Sequence, residues 1–244
     1  MNYLHWDEKV VTNFTSENIT KMYANGYVFT RLGKGIMQQT RSVRINLSKF
    51  NLTSENRRIL KKVNTDKEVG AGEKIDCLEL NVVTLPFSGY GFRIGKLAKD
   101  FYEIKFGKGI MSANKIKEMA TDDTKSNFNM LLSYEANSKP DNSIKPVDSI
   151  SFTGFAICYS NTEILHYSFP FYDLTSAPKD MGLAMMIKAI KYAQESGKKY
   201  IYLGSLQRPS DTYKLQFEGL EWFDGKAWQN NIESVKKILT SAKM

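Results

Sequence analysis

Apolar residues recur along this chain at two periods, every second position in some runs and every third or fourth in others, and these periods mark out strands and helices. Residues 16–24 carry the helical spacing, and a strand-like run at 27–31 opens after Gly26. Residues 42–50 alternate, with Val43, Ile45 and Leu47 on one side and Arg44, Asn46 and Ser48 on the other. That pattern predicts a half-buried strand with Arg44 turned outward. Thr53 or Ser54 is placed to cap a helix that has Glu55 in its first turn and Ile59, Leu60 and Val63 on a core-facing stripe. The same helix sets Arg57 against Lys61 and Arg58 against Lys62 as like-charged i,i+4 pairs. Such pairs repel, so an anionic partner explains them better than helix stability does.

A charged, Gly-containing link at 66–73 precedes a strand expected at 77–85, a second strand is expected at 101–106, and Ser112 caps a helix expected at 112–119 before a loop at 122–126. The run 137–146, rich in Asn, Ser, Lys, Asp and Pro, is the expected boundary between an amino-terminal α/β portion, 1–140, and a second domain, 147–244. Beyond it, 149–160 and 163–172 predict an antiparallel hairpin joined by Ser160-Asn161-Thr162. Leu183, Met186, Ile187, Ile190 and Ala193 predict a helix ended by Gly197, followed by a short buried strand at 199–204 and a short helix at 211–217. Trp222, Phe223 and Trp228 are expected in the core. The pentapeptide GKGIM occurs at 33–37 and again at 107–111, without a full phosphate-binding fingerprint at either place, and reads as a pair of similar turns.

The chain has 244 residues, 42% of them hydrophobic, which suffices for one large domain or two smaller ones. It contains no uninterrupted apolar run of membrane-spanning length, and its start, MNYLHWDEKV, lacks the basic and apolar regions of a signal peptide. The expectation is a soluble cytoplasmic protein with no membrane partner. Cys77, Cys158, His5 and His166 are not spaced as metal pairs, so neither a metal site nor a disulfide framework is expected. Charge is more telling: from Lys21 to Lys62 ten basic residues face the single acid Glu55, giving this stretch +9 in a chain whose total is +8. Half of those cations are arginine, and so concentrated a segment suits a polyphosphate partner; a merely solvated basic face is the alternative.

A hairpin, a glycine-containing turn into a helix, and a strand ending in a Tyr-Lys loop together resemble the order of elements in the GNAT acyltransferases. Lys179-Asp180-Met181-Gly182-Leu183-Ala184 is similar to that family's Arg/Gln-x-x-Gly-x-Gly/Ala turn, with lysine first and Asp180 where a pyrophosphate would be repelled. Gly182 there serves either anion approach or close helix packing, and Asp180 is also placed as a helix cap. The resemblance implies an α+β fold, a largely antiparallel sheet flanked by helices.

The wider order of segments resembles the arginyl/leucyl-tRNA-protein transferases. At the front, Gly26-Tyr27, Arg31, Arg41-Ser42-Val43-Arg44-Ile45 and Ser54-Glu55-Asn56-Arg57-Arg58 are similar to the family's Gly-aromatic start, basic strand and Ser-x-x-Arg-Arg helix. At the back, Phe169 to Asp173, Tyr202-Leu203-Gly204 and Tyr213-Lys214 with Phe217 resemble its Tyr-Asp strand, Tyr-Leu-Gly strand and Tyr-Lys loop. Met-Gln-Gln-Thr at 37–40 stands where the family has a cysteine cluster, so no cluster-dependent regulation carries over.

The resemblance implies transfer of an amino acid from charged tRNA to the amino-terminal amine of a protein, with aminoacyl-tRNA as donor and no further cofactor. Arg41, Arg44, Arg57, Arg58 and Lys61 would meet tRNA. Asp173, Tyr213 and Lys214 would be catalytic, and Tyr172, Gly204, Ser205 and Gln216 would bind substrate. Asp173 reads equally as a structural cap, Tyr213 as a half-buried core residue and Lys214 as a solvated charge. Two other readings stay open: an acyltransferase using coenzyme A, and a non-catalytic RNA-binding protein on the same scaffold.

Overall fold

The computed structural model describes residues 4–64, 78–136 and 153–241; the link expected at 66–73, Cys77 and the boundary expected at 137–146 lie outside them. The described elements run β1 (Asp7–Val10), α1 (Ser16–Ala24), β2 (Tyr27–Phe29), β3 (Ile36–Gln39), β4 (Ser42–Asn46), α2 (Ser54–Asn64), β5 (Leu78–Thr84), α3 (Phe92–Phe106) and α4 (Ala113–Thr121). They continue β6 (Met130–Ala136), β7 (Thr153–Ser160), β8 (Ile164–Tyr172), α5 (Met181–Glu195), β9 (Tyr200–Ser205), β10 (Leu220–Phe223), β11 (Trp228–Gln229) and α6 (Ile232–Ser241).

Eight strands form one sheet in the order β11-β10-β4-β9-β8-β7-β6-β5, and β1, β3 and β2 form a small antiparallel one. Within the large sheet only β8 and β9 run parallel, joined by the crossover helix α5. The fold is thus α+β with a largely antiparallel sheet, as the resemblance to the acyltransferases implies. Strands from both sides of 137–146 share this sheet, β4 lying between β9 and β10.

Period-two alternation sorts the sheet's side chains into two cores. Val43, Ile45, Leu132, Tyr134, Ala156, Cys158, Leu165, Tyr167, Ile201 and Leu203 pack with α2, α5 and α6. Leu131, Phe155, Ile157, Ile164, Phe171 and Tyr202 face α1, α3, α4 and the small sheet. Helix α5 is apolar nearly all round, burying Met181, Ala184, Met185, Met186, Ile187, Ala189, Ile190 and Ala193. Each large side chain among them stabilises the fold by roughly 1.5–3 kcal/mol on burial. At the start of α2, Thr53 Oγ1 accepts from the Asn56 amide at 3.1 Å while Asn56 Oδ1 accepts from the Thr53 amide at 3.3 Å, a reciprocal cap.

Three expectations change. The expected strand at 101–106 is the last part of helix α3: Gly95, Ala98, Phe101 and Tyr102 are its buried positions, at helical spacing. Its aromatic residues favour strands locally, and packing against α4 overrides that preference. The strand from Ser42 stops at Asn46, whose Oδ1 takes the Ser48 amide at 3.2 Å and turns the chain into a short 3-10 helix, Leu47–Lys49. Arg44 does not face outward. It is 8% exposed because the sheet is covered on both faces, and the side opposite Val43 and Ile45 lies under Tyr200 and Trp228.

Candidate active site

Parallel pairing of β8 and β9 covers Ile164, Leu165 and His166 against Tyr200, Ile201 and Tyr202, and then stops. Beyond it β8 runs on to Tyr172 beside β7, and β9 ends at Ser205 beside β4, so the carboxyl ends of the two strands part. Pro170 lies in the parted half of β8 and has no N–H to give to a ladder. Its carbonyl accepts instead from the Tyr102 hydroxyl of α3 at 3.2 Å. Open sheets bind ligands outside the carboxyl ends of parallel strands, where backbone groups are free and loops converge.

Lys214 comes into this opening from a 3-10 helix, Pro209–Gln216. It is 9% exposed, and its ammonium donates to the Ser205 carbonyl at 2.9 Å. Burial pulls its pKa down; Asp211 pushes it up and Arg208 pulls it further down. Gly204 bends the chain beside it: its φ of +76 is left-handed, which favours glycine, while a Cβ there would stand in ordinary contact, 3.9 Å from the Lys214 Nζ. Tyr213 leaves 45% of its surface exposed, yet burial raises its hydroxyl pKa, with further pushes from Asp211 and Tyr172. The two facts agree if one ring edge meets solvent while the hydroxyl points inward. Tyr102 and Tyr167, both buried, also sense the charge of Tyr213, which supports that orientation.

Tyr172 ends β8 with its ring 4.9 Å from Phe101 and its hydroxyl hydrogen-bonded to the Gly182 backbone at the start of α5. A Cβ on Gly182 would come within 2.9 Å of that hydroxyl, so the glycine serves close packing. Asp180, one step earlier, holds a left-handed φ of +73 and pairs with Lys62 of α2 at 2.9 Å. The first turn of α5 is therefore met by a tyrosine hydroxyl and a carboxylate.

Asp173 caps its own turn. Its Oδ1 accepts from the Thr175 amide at 2.8 Å and hydroxyl at 2.7 Å, and its Oδ2 from the Ser176 hydroxyl at 2.9 Å. The Thr175 hydrogen bonds hold its pKa below the usual carboxylate value. To orient an amine it would have to give up those bonds. Ser205 is buried and its Oγ accepts from Gln207 Nε2 at 3.1 Å, while Gln216 Nε2 donates to the Tyr213 carbonyl at 2.7 Å. Tyr172, Gly204, Ser205, Tyr213, Lys214 and Gln216 thus gather around the β8/β9 opening, with Asp173 at the end of β8.

The basic segment divides. Arg57, Arg58 and Lys61 lie exposed on α2, where Arg58 pairs with Glu55 at 2.6 Å and Arg57 donates to the Leu52 carbonyl at 2.6 Å. Arg41 is half-buried beside the end of β9, donating to the Leu206 carbonyl at 3.4 Å, and burial lowers its pKa. Arg44 is locked by Glu221 at 2.7 Å. In the first GKGIM turn Lys34 donates to the Asp123 and Ser126 carbonyls at 2.9 and 2.7 Å, so it braces a loop.

Sequence reasoning missed four residues here. His166 is buried, its Nδ1 lies 2.8 Å from the Tyr23 hydroxyl, and burial followed by the Lys214 charge lowers its pKa to about 3. Tyr102 was hidden by the wrong element at 101–106. Arg208 and Asp211 lie in a polar loop with no motif to mark them, although both act on Lys214. Among the described residues no group of three or more His, Cys, Asp or Glu could hold a metal ion. Nor is any described helix long and apolar enough to cross a membrane. A shallow surface depression lined by Pro86, Phe87, Ser88, Tyr90, Lys117 and Thr121 shares no residue with the opening.

No family model and no curated protein matches this chain. Solved structures do resemble it in outline. L-PGS from Bacillus licheniformis is 12% identical with a TM-score of 0.45, over 92% of this chain and 70% of that one. The C-terminal domain of a lysylphosphatidylglycerol synthetase-type protein from Agrobacterium fabrum is also 12% identical, with a TM-score of 0.44, over 82% of this chain and 54% of that one. This chain spans about half the length of the second. At such identities and scores the likeness is one of chain path and carries no argument about chemistry.

Proposed function

We propose that this protein is an aminoacyltransferase that takes an amino acid from charged tRNA and passes it to an amine, in the first instance the amino terminus of a protein. The observation that carries the reading is the buried Lys214 with depressed pKa, set beside Tyr213 where the parallel strands part. An aminoacyl ester is already activated, so the catalyst has to position it, keep the incoming amine neutral and steady the developing oxyanion. A lysine of lowered pKa accepts a proton from the amine as its nitrogen bonds to the ester carbonyl carbon. As the ribose C–O bond breaks, the same group returns a proton to the leaving oxygen, with the Tyr213 hydroxyl placed to hydrogen-bond the oxyanion. The exposed cations of α2 supply a surface for the tRNA body, at the helix that pairs with the start of α5 through Lys62 and Asp180.

The coenzyme A reading is disfavoured by the start of α5. A pyrophosphate there needs free amides and no opposing charge, whereas the Tyr172 hydroxyl meets Gly182 and the Asp180 carboxylate stands beside it.

The test is transfer of radiolabelled amino acids from a charged tRNA pool to peptides differing in their first residue, beside an acetyl-CoA arm and an arm with phosphatidylglycerol vesicles. Label on peptide that Lys214→Met abolishes is the expected result. Label on lipid would keep the donor and change the acceptor. Acetyl-CoA consumption without transfer from tRNA would sink the proposal.

A further inference from the structure

We infer that Arg208 and Phe106 form a clamp for a nucleotide at the mouth of the β8/β9 opening, the guanidinium holding a phosphodiester and the ring stacking on a base. This deepens the function proposed above and rests on it: the nucleotide is one in the single-stranded 3′ end of the aminoacyl donor.

The two residues are placed for that role and have no structural one of comparable weight. Several cations of the neighbouring helices are paired with acids, as in Lys96 with Asp100 at 2.5 Å, Lys99 with Glu103 at 3.5 Å and Lys115 with Glu118 at 2.6 Å. Arg208 is half-buried, and the acid nearest it in the loop is already used, because Asp211 Oδ2 accepts from the Gln207 and Arg208 amides at 2.8 Å each. Its guanidinium lies instead 4.8 Å over the ring of Phe106. It also stands close enough to Lys214 for the two cations to oppose each other. Asp211 favours the charged form of Lys214 and Arg208 works against it, so the cluster holds two cations to one carboxylate, and an anion in front of Arg208 balances the charge.

Phe106 is the last residue of α3 and is 42% exposed. Its ring is 5.6 Å from Tyr102, the residue whose hydroxyl reaches the Pro170 carbonyl inside the opening. The arginine–phenylalanine pair therefore sits on the rim through which a substrate reaches Tyr213 and Lys214. A planar guanidinium lying over a partly exposed aromatic ring is a combination that binds single-stranded nucleic acid, a base stacking against the surface the pair leaves open and the arginine taking a phosphate oxygen pair. A carboxylate ligand would use the arginine and leave the ring idle.

The test compares two donors on the full chain: aminoacyl-tRNA, and a 3′-O-aminoacyl adenosine that has no phosphate. Arg208→Ala is expected to raise KM for aminoacyl-tRNA by roughly 10-fold or more and to leave KM for the phosphate-free donor unchanged, while any change of kcat that comes through Lys214 is the same for both donors. Arg208→Lys restores part of the loss. Phe106→Ala weakens binding of a labelled single-stranded oligonucleotide ending in CCA by a similar factor, and Phe106→Tyr keeps it. Equal rises in KM for both donors, a fall in kcat alone, a KM change confined to the acceptor peptide, or no change at all would each overturn the clamp. If the wild type transfers from neither donor, the proposed function fails. The oligonucleotide titration still decides the clamp, because it needs no turnover.

Discussion

Arg44 and Lys214 are cations buried to nearly the same degree, 8% and 9% exposed, and the protein treats them in opposite ways. Around Arg44 everything is compensated: Glu221 takes its Nε at 2.7 Å, the Tyr202 hydroxyl lies 3.4 Å from its Nη1, and the rings of Tyr200 and Trp228 lie 4.0 and 3.9 Å from its guanidinium carbon. Lys214 has a backbone carbonyl, the Asp211 carboxylate acting at a distance without a salt bridge, the Arg208 cation opposing it, and an opening in front of it. Burial costs a charge several kcal/mol unless partners offset it. Arg44 is a charge fixed by its partners, whereas burial outweighs what Asp211 offers Lys214 and leaves its pKa lowered.

Four experiments would break or sharpen that contrast, the largest effect first. Lys214→Met should cut aminoacyl transfer by about 10²–10⁴-fold while leaving urea stability unchanged or higher, because it removes a desolvated charge. A loss of stability without loss of transfer would put Lys214 in the same class as Arg44. Arg44→Met should destabilise the fold by up to about 3–5 kcal/mol, since the part-buried Glu221 is left without its partner. Equilibrium denaturation reads this, and adding Glu221→Leu should recover most of the loss; a single variant as stable as wild type would refute the structural role.

His166 supplies the third. Its folded pKa, about 3, is below the ordinary imidazole value of 6.5, so between these two values the unfolded chain binds the extra proton. Stability should therefore be fully present above pH ~6.5 and fall as pH drops toward ~3, by on the order of 3–5 kcal/mol in all. His166→Gln should flatten that part of the profile, and an unchanged slope would show the histidine to be protonated in the fold. The smallest effect belongs to α2: Arg57→Ala with Arg58→Ala should weaken tRNA binding uniformly across sequences and lower the salt slope by about 2. An unaltered slope would make that face merely solvated.

Most of the fold could be read from the chain because period and punctuation agree. Helix α1 spans the expected residues, the β7/β8 hairpin forms around Asn161, whose Oδ1 accepts from the Glu163 and Ile164 amides at 2.9 Å each, and Gly197 follows α5 with φ +70. The site was legible in part. Tyr213-Lys214 and Gly204 stood out as a loop after a strand, and the fold brings the Lys214 ammonium close to Gly204 and Ser205. Asp173 stood out equally, and its residue type alone could not separate an amine-orienting carboxylate from the turn cap it forms. His166 and Arg208 gave no signal, since one looks like any strand residue and the other like any solvated loop cation.

What the sequence determined by itself is local: which segments are helical or extended, where they stop, and where positive charge concentrates. These follow from neighbours within a few residues, through side-chain period, capping and turn chemistry. The tertiary structure decided which charges are buried. Arg44 carries a polar residue's pattern and lies inside because a second layer covers its side of the sheet, while Lys214 reaches the opening because β8 and β9 part after three paired residues and Gly204 bends beneath it. The burial of Arg44 depends on residues more than 150 positions away, and the opening at Lys214 on strands that pair 36 positions apart, so no local pattern encodes the dielectric they create.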